Sequence, residues 1–316
     1  MVDGGRPILV TGGAGFIGSH LVEHMAAGGA PVTVVDNIST GRLENLHSIR
    51  PDVELVLGDL GDLLRLKRIR LDQYACVFHL AGNSYIPPSV ANPDFDFHEN
   101  LHNTFRLLEA LRHTPNAPCL VNISSAAVYG NPAHLPIRET DPTFPIAPYG
   151  VSKLAGERYV AVYGQLYGIQ ASSVRLFSVY GPRQRKQVVY DLFRKLQANP
   201  RRLEILGDGS QARDFAYVSD VVQALALVAT KAPHRGEVYN VASGTTHTIA
   251  ELAQACCQVS GLTPEIVYTG QIRPGDADRW VVDITRLKEL GFGARADLKS
   301  GLTATRNWHA ALPVVD

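Results

Sequence analysis

Three glycines between an apolar run and a helical pattern constrain this chain more than any other feature. Gly12, Gly15 and Gly18 directly follow the strand-like run at residues 8–10. Residues with helical spacing come next, namely Ile17, Leu21, Val22 and Met25. Glycines in this arrangement allow a tight turn, a close approach of the backbone to a pyrophosphate, and close packing of the helix on the strand. The N–H groups that begin the helix would face the phosphates, so the sequence predicts a dinucleotide site.

An acid at the end of the next strand narrows the choice of dinucleotide. Residues 32–36 form an apolar run that ends at Asp36, 18 residues after Gly18. A carboxylate there accepts hydrogen bonds from both hydroxyls of an adenosine ribose and repels a 2′-phosphate. The sequence therefore predicts NAD rather than NADP as the cofactor. The competing interpretation is a glycine-rich turn in an unrelated α/β protein, with Asp36 as a surface residue.

The order of apolar runs and helical patterns predicts the fold class. Strand-like runs lie at 53–57, 75–80, 119–123 and 171–176, and helical patterns lie at 62–69, 95–112 and 149–167. Apolar strands that do not alternate and are separated by helices indicate a parallel sheet covered on both faces. We therefore expect an α/β fold with a Rossmann-type doubly wound parallel sheet, whose ligands bind at the carboxyl ends of the strands.

After about residue 181, strand-like runs and helical patterns no longer alternate regularly, which predicts a smaller C-terminal lobe. Helical patterns there lie at 188–198, 220–230, 249–259 and in a last region ending near residue 311. Strand-like runs lie at 203–206, 237–241 and 265–268. We predict a sheet domain of residues 1–180, to which residues 212–243 return. Residues 181–211 and 244–316 would form the lobe.

Charge and composition exclude several classes of partner. The chain of 316 residues has 30 Lys and Arg against 30 Asp and Glu, so we expect no overall field that attracts a nucleic acid or an acidic membrane. No run of 18 apolar residues occurs, so no transmembrane helix is expected. The four cysteines form no C-x-x-C motif, and a reducing cytoplasm is the expected location.

A tyrosine and a lysine four residues apart supply a candidate reaction centre. On a helix, Tyr149 and Lys153 lie on one face, one turn apart. A nearby ammonium lowers the pKa of a phenol, so Tyr149 could take a proton from a substrate hydroxyl while a hydride leaves the same carbon. Ser124 and Ser125 follow the run at 119–123, and Ser125 is the better candidate to hold the reacting oxygen. Without the dinucleotide motif, the same residues would indicate only a surface helix and a strand end.

One motif predicts a different chemistry. His98, Glu99 and His102 match the zinc-hydrolase pattern H-E-x-x-H, in which two histidines one helical turn apart bind the metal. No third ligand stands at a recognisable spacing, so no metal is expected. A non-catalytic dinucleotide sensor is a further interpretation, which the presence of Tyr149 and Lys153 disfavours.

Together these motifs resemble the extended short-chain dehydrogenase/reductase family, in its nucleotide-sugar epimerase and dehydratase branch. The resemblance spans nearly the whole chain and rests on the segments 11–18, 36–37, 58–60, 79–81, 100, 124–130, 149–153, 180–184, 207–209, 213–215 and 273–276. It implies an NAD domain and a substrate-binding lobe that holds a nucleoside diphosphate sugar, with UDP the commonest nucleotide. It also implies a homodimer formed through the helices near residues 100–112 and 149–167.

The resemblance also implies roles for individual residues. Asp59 and Leu60 should flank the adenine, and Leu80 and Ala81 should line the dinucleotide near its phosphates and ribose. The implied cofactor-binding set is Gly12, Gly15, Phe16, Ile17, Gly18, Asp36, Asn37, Asp59, Leu60, Leu80, Ala81, Asn100, Ser124, Tyr149 and Lys153. The implied substrate-binding set is Ser125, Tyr149, Ser178, Arg185, Arg213, Arg273 and Asp276. Arginine suits the diphosphate because its planar fork matches phosphate oxygens.

Members of this family share a first step, oxidation of the sugar at C4 by NAD, and differ in the later steps. Related dehydratases carry an acidic residue after the catalytic serine or threonine, and decarboxylases carry a glutamate just before Val-Tyr-Gly. This chain has Ala126 and Ala127 in that segment, and alanine cannot move protons. The sequence therefore predicts a 4-epimerase that uses Ser125, Tyr149 and Lys153 as catalytic residues. A nucleotide-sugar dehydratase and a UDP-glucuronate decarboxylase are the alternatives.

Two departures from the family pattern leave the sugar open. Many hexose 4-epimerases have asparagine where this chain has Ser178, and the insert after Gln184 is short. Ser178 and Arg185 could together receive a C6 carboxylate, but the alanines at 126 and 127 offer it no hydroxyl. The UDP-glucose/UDP-galactose pair is preferred, and the UDP-glucuronate/UDP-galacturonate pair stays open.

Overall fold

The computed structural model of the chain describes residues 5–49, 53–271 and 279–312. In these ranges the strands β1 to β12 are, in chain order, Ile8–Thr11, Val32–Asp36, Val53–Leu57, Cys76–His79, Cys119–Ser125, Ala171–Leu176, Ser178–Tyr180, Arg202–Ile205, Ala212–Tyr217, Arg235–Val241, Thr246–Thr248 and Glu265–Tyr268. The helices α1 to α11 are Phe16–Ala27, Leu60–Arg65, Ile86–Ala91, Pro93–Asp96, Asn103–Arg112, Pro148–Tyr167, Gln187–Ala198, Val218–Lys231, Ile249–Ser260, Thr285–Glu289 and Leu298–Ala310.

Seven of the described strands form one sheet in the order β10-β6-β5-β4-β1-β2-β3, and every neighbouring pair is parallel. Chain order reverses between β1 and β4, which are hydrogen-bonded neighbours. A doubly wound sheet binds its ligands in the crevice at this point, outside the carboxyl ends of the strands. The predicted fold class, an α/β Rossmann-type sheet, is confirmed.

Two hydrophobic cores cover the two faces of this sheet. Val10 of β1 packs into the core that includes α1 and α8, whereas its neighbour Leu9 packs into the core that includes α2, α5 and α6. Successive side chains of a strand point to opposite faces, so a strand that is buried on both must be apolar throughout. This explains why the strand-forming runs of the sequence show no alternation.

A third core belongs to the C-terminal half of the chain. It joins α7, α9 and α11 to β8 through side chains such as Leu192, Leu196, Leu203, Leu252 and Leu302. Strands β8 and β12 pair in parallel, and β7, β9 and β11 form a separate three-stranded sheet. The predicted lobe lies in this region, while α8 packs near α1 and β10 is the edge strand of the large sheet. The exact domain boundaries stay a prediction.

Some predicted elements were wrong in their limits. Helix α2 ends at Arg65 rather than residue 69, because Lys67 adopts a left-handed backbone with φ of 52°. The predicted helix 95–112 begins earlier, at Pro93, and contains a π-helical turn, Phe97–His102, between α4 and α5. Strands β7, β9 and β11 were not predicted, since their residues are short or polar runs without an apolar pattern.

Among the described residues, no helix is both long enough and apolar enough to span a membrane.

Candidate active site

The glycine loop lies at the carboxyl end of β1 and leaves no room for side chains. Gly12 has a φ of +71°, and a Cβ there would lie 2.7 Å from the backbone nitrogen of Ala81. A Cβ on Gly18 would collide with the carbonyl oxygen of Gly12. Helix α1 begins after Gly15, which has no side chain to cap it. The first N–H groups of the helix are therefore suited to an anionic ligand, with the partial positive charge of the helix behind them.

Asp36 is buried beside this loop at the end of β2. Its Oδ2 accepts a hydrogen bond from the backbone N–H of Ala14 at 2.9 Å, and its Oδ1 accepts one from Ile38 at 2.8 Å. Each carboxylate oxygen keeps a second lone pair for a ligand hydroxyl. The next residue, Asn37, is exposed and its Oδ1 accepts from the N–H of Ser39 at 3.0 Å. The structure thus places the predicted acid against the predicted phosphate loop.

The segment after β4 is fixed opposite the glycine loop by a buried histidine. The Nδ1 of His79 lies 2.9 Å from the hydroxyl of Thr11, and its Nε2 lies 3.1 Å from the hydroxyl of Thr104. The Thr11 hydroxyl also accepts from the N–H of Ala81 at 3.2 Å. Burial, together with the nearby charge of Lys153, lowers the pKa of His79 to about 3, so the ring is neutral. Half-buried Leu80 and Ala81 are thereby held at the sheet crevice.

Two further pairs of predicted cofactor residues lie at the starts of α1 and α2. Phe16 and Ile17 form the first turn of α1 and are half-buried. Asp59 caps α2, because its Oδ1 accepts from the N–H of Gly61 at 2.9 Å, and Leu60 is buried behind it.

Helix α6 brings Tyr149 and Lys153 to the carboxyl end of β5. Pro148 begins the helix, where proline fits because the first N–H has no helical partner. The N–H of Tyr149 donates to the Ser89 hydroxyl of α3 at 3.2 Å. Lys153 donates from its Nζ to the carbonyl of Ile123 at 3.1 Å, and this Nζ lies 6.0 Å from the centre of the Tyr149 ring. The tyrosine, the lysine and the end of β5 therefore meet in one buried place.

The Ser125 side chain lies next to the Tyr149 phenol. The Ser125 Oγ also accepts from the N–H of Ala127 at 3.2 Å, which fixes the serine at the start of a short 3-10 turn, Ala126–Val128. Burial raises the pKa of Tyr149 to about 12, although the Ser125 hydrogen bond acts to lower it. The lowering of the Tyr149 pKa that the sequence predicts does not occur here, because removal of the phenol from water outweighs the favourable contacts. Burial likewise lowers the pKa of Lys153 to about 8.

Several buried polar atoms at this place have no protein partner among the described residues. They are the Oδ1 of Asn100, the Oδ2 of Asp96 and the Oγ of Ser124. Buried polar groups are almost always hydrogen-bonded, so these atoms indicate a polar ligand that approaches them. Together with the glycine cradle that a Cβ would fill, they fit the predicted dinucleotide.

The predicted substrate residues lie on the lobe side of the crevice. Ser178 is half-buried in β7. Arg185 donates to Glu44 at 2.8 Å, and its guanidinium carbon lies 5.7 Å from the Trp308 ring centre. Arg213 of β9 donates to the carbonyl of Ala212 at 2.9 Å, with its guanidinium carbon 5.0 Å from the ring centre of Trp280. Arg273 and Asp276 lie outside the described residues.

Comparison with known proteins identifies the family. A family model described as GDP-mannose 4,6 dehydratase matches residues 9–305. The chain belongs to this family. A putative UDP-glucose 4-epimerase of Methanocaldococcus jannaschii is 35% identical over 305 residues, which cover 95% of this chain and 97% of that protein. The resemblance to the nucleotide-sugar epimerase and dehydratase branch is confirmed, and the chain is an enzyme of this branch.

Two solved structures of the branch are similar along almost the whole chain. The Thermus thermophilus UDP-glucose 4-epimerase, in complex with NAD, is 36% identical with a TM-score of 0.86, and the match covers 96% of this chain and 99% of that one. The Bacillus cereus UDP-glucuronic acid 4-epimerase, in complex with UDP-glucuronic acid and NAD, is 28% identical with a TM-score of 0.87 and the same coverage.

Within this family fold, the H-E-x-x-H motif lies on the π-helical turn, and among the described residues no third metal-ligating side chain is grouped with its histidines. His98 is exposed and lies 3.8 Å from the Asp94 carboxylate, and its ring stacks edge-on against His102. In this turn Asn100 is buried and donates from its side-chain amide to the Asp96 carboxylate at 2.8 Å. Throughout the part of the chain that the structure describes, no three His, Cys, Asp or Glu side chains are grouped to hold a metal ion.

Sequence reasoning missed three residues around the site. Glu157, one helical turn after Lys153, forms a buried ion pair with Arg175 at 2.7 Å, and Asp96 is buried beside Asn100. The spacing 149, 153 and 157 was a usable signal, because three residues four apart share one helix face. The sequence carried no comparable signal for Asp96, since its burial depends on how α4 packs against α6.

Proposed function

We propose that the chain is an NAD-dependent UDP-sugar 4-epimerase that interconverts UDP-glucose and UDP-galactose. The observation that carries the proposal is the meeting of Ser125, Tyr149 and Lys153 at the end of β5, next to the crevice of the sheet. The two similar epimerase structures, both named as NAD complexes, support the cofactor and the reaction class.

The glycine loop, the acid and the orphaned polar atoms would hold the cofactor. The N–H groups of Phe16 and Ile17 would bind the pyrophosphate, and Asp36 would accept from the adenosine ribose. Leu80 and Ala81 would line the cofactor opposite them, and Asn100 and Ser124 would supply their unpartnered oxygens. When bound, NAD would accept the hydride from C4 and return it.

The side chains of this protein would move the proton and orient the sugar. Tyr149 would take the proton of the C4 hydroxyl as the hydride leaves, and Ser125 would hold the C4 oxygen by a hydrogen bond. Lys153 would stabilise the phenolate by its charge. After the 4-keto sugar has turned in the crevice, Tyr149 would return the proton to the oxygen, and the opposite configuration at C4 would result.

The residues next to Ser125 favour epimerisation over the other reactions of the family. Ala126 and Ala127 are both buried in the 3-10 turn, so no acid or base projects from this segment. Dehydration needs a group that removes the C5 proton and one that protonates the leaving hydroxyl. The chain has neither at the positions where related dehydratases carry them, which leaves reversible oxidation at C4 as the favoured reaction.

The deciding experiment is incubation of the purified protein with UDP-glucose, UDP-galactose or UDP-glucuronate, with the products identified by NMR. A 4-epimerase would bring UDP-glucose and UDP-galactose to the same ratio from either side, without added NAD if the cofactor is retained. Formation of a 4-keto-6-deoxy sugar would identify a dehydratase instead, and loss of carbon dioxide from UDP-glucuronate would identify a decarboxylase.

A uronate substrate is the second candidate, and it is favoured by two basic side chains that follow β7 on the lobe side of the crevice. Arg185 and Lys186 follow β7, and Lys186 reaches across the crevice to the Ser84 hydroxyl at 3.0 Å. The similarity to an epimerase of UDP-glucuronic acid points the same way. If Arg185 meets a C6 carboxylate, Arg185→Ala should reduce kcat/KM for UDP-glucuronate more than for UDP-glucose. Equal losses would remove the uronate from consideration.

We further propose that the chain forms a homodimer and works in a reducing compartment. Helix α6 exposes Val151, Tyr159, Val162 and Leu166, which lie on one stripe of the helix. An apolar stripe beside α5 suits a second copy of the same chain. All four cysteines are unpaired, which is consistent with a cytoplasmic location.

A further inference from the structure

A fully buried carboxylate lies beside the reaction centre and forms no ion pair within the described ranges. Asp96, at the end of α4, is 0% exposed. Its Oδ1 accepts hydrogen bonds from the side-chain amides of Asn83 and Asn100, each at 2.8 Å. Its Oδ2 is buried and makes no hydrogen bond to any described residue. A charged group in this situation normally acts on something near it, because burial without compensation is costly.

The groups that Asp96 acts on are Lys153 and Tyr149. Asp96 interacts electrostatically with both across the contact between α4 and α6. The other charged group that influences Lys153 is Glu157 on its own helix. His79 of β4, whose pKa Lys153 helps to lower, is neutral and adds no charge. Glu157 shares its charge with Arg175, whose Nε and Nη2 donate to it at 2.9 and 2.7 Å. Of the two described carboxylates that influence Lys153, only that of Asp96 has no ion-pair partner of its own, so it is the one available to balance the Lys153 ammonium.

We propose that Asp96 is a positioning residue, whose buried carboxylate holds Asn100 toward the cofactor side of the reaction centre and supplies a negative charge beside Tyr149 and Lys153. This inference rests on the proposed function, since it assigns the charge balance of the same Tyr149 and Lys153. The π-helical turn after α4 serves this arrangement, because it directs Asn100 inward so that its amide meets Asp96.

The proposal predicts a definite change in pH dependence. Burial lowers the pKa of Lys153, and Asp96 opposes that effect. The same carboxylate raises the pKa of Tyr149. Without the negative charge, the pKa of both groups falls. The positive charge of bound NAD would lower the Tyr149 pKa from about 12. In that state the acidic limb of the kcat/KM profile would report formation of the phenolate and the alkaline limb loss of the ammonium, and both limbs should move toward lower pH.

The test compares Asp96→Asn with Asp94→Asn in the NAD-loaded protein. Asparagine keeps its amide oxygen as an acceptor for Asn83 and Asn100, replaces the other carboxylate oxygen by an NH2 group of similar size, and removes the charge. We expect both limbs of the kcat/KM profile to move down by about one pH unit in Asp96→Asn. Asp94 is on the same short helix with its side chain 88% exposed, so Asp94→Asn should leave the limbs in place. A lower rate at every pH with unmoved limbs would overturn the proposal, because that is the result of a purely structural role.

A second measurement needs no turnover. The near-ultraviolet absorbance of tyrosinate is titrated in the NAD-loaded protein without sugar, and the signal of the Tyr149→Phe counterpart is subtracted. We expect the Tyr149 midpoint to lie at lower pH in Asp96→Asn than in the parent, and an unchanged midpoint would overturn the proposal. If the midpoint moves while no UDP-sugar is inverted, the role of Asp96 stands and the proposed reaction fails. Asp96→Ser, also neutral, gives the same comparison should Asp96→Asn fold poorly.

Discussion

At the scale of single residues, the site depends on a phenol that its surroundings make a weak acid. Burial raises the pKa of Tyr149 to about 12, so few molecules carry the phenolate at neutral pH. The Ser125 hydrogen bond acts against this, and Lys153 lies close enough to stabilise a phenolate once it forms. A positive charge that arrives with a ligand would lower the pKa further. In the proposed reaction, proton removal would thereby be restricted to the site that holds its cofactor.

The phenol hydroxyl itself is the group that Tyr149→Phe removes. We expect the rate of C4 inversion, measured by NMR, to fall by about 10²–10⁴-fold, since a general base contributes on that order. The protein should still retain NAD, because the phenylalanine ring fills the same space. Tyr268→Phe, which removes an exposed hydroxyl in the lobe, serves as the control and should keep the parental rate. Full turnover by Tyr149→Phe would exclude the assigned role.

The charge of Asp36 should decide between the two nicotinamide dinucleotides. Asp36→Ala removes the repulsion of a 2′-phosphate and one acceptor for the ribose, so the preference for NAD over NADP should fall by about tenfold or more. Calorimetric titration with both dinucleotides measures the ratio. Asp72→Asn, an exposed carboxylate before β4, changes net charge equally and should leave the ratio unchanged. A preserved preference in Asp36→Ala would mean that Asp36 does not face the ribose.

At the scale of elements, helix α6 carries its polar residues at four-residue intervals on one face. Tyr149 and Lys153 face the crevice, and Glu157 continues the row to Arg175 of β6. Arg175 also donates to the Tyr129 hydroxyl at 2.7 Å, and Tyr129 in turn donates to Asn240 of β10 at 2.6 Å. This buried network joins α6 to the sheet and so fixes the height of Lys153 above β5.

Breaking that ion pair should destabilise the protein strongly. Arg175→Met leaves Glu157 buried and unpaired, and the free energy of unfolding should fall by about 3–5 kcal/mol. Urea unfolding monitored by circular dichroism measures the loss. Arg65→Met breaks an exposed pair with Asp62 at 3.0 Å and should cost less than about 1 kcal/mol. Similar small losses in both variants would show that the buried pair does not anchor α6.

The sequence predicted the elements that a local pattern of residue types specifies, and it missed those that depend on tertiary packing. The strands are recognisable because burial on both faces requires apolar residues throughout. The phosphate loop is recognisable because its tight turn requires glycines. Asp36 was predicted from its strand end after the glycine loop, Ser125 from its strand end, and Tyr149 and Lys153 from their helical spacing. Asp96 did not, since a carboxylate in a polar segment is usually exposed, and only the packing of α4 on α6 buries it.

At the scale of the whole molecule, the crevice is bounded by contacts between its two sides. Arg183, which follows β7, donates to the Ser19 hydroxyl of α1 at 3.1 Å and pairs with Glu23. The His20 ring lies 3.0 Å from the carbonyl of Pro182. These contacts join the start of the lobe to the helix behind the glycine loop. The position of the lobe is therefore set by the same helix whose N-terminus would bind the pyrophosphate.

The apolar stripe of α6 lies on the outside of this assembly, away from the crevice-facing row of the same helix. If it forms a symmetric dimer, a charge placed on it enters the interface twice and must be buried in both copies. Val162→Lys should therefore yield a monomer in sedimentation velocity where the parent sediments as a dimer. Leu57→Lys adds the same charge at an exposed leucine that ends the edge strand β3, and it should stay dimeric. A dimer that persists in Val162→Lys would place the contact between copies elsewhere.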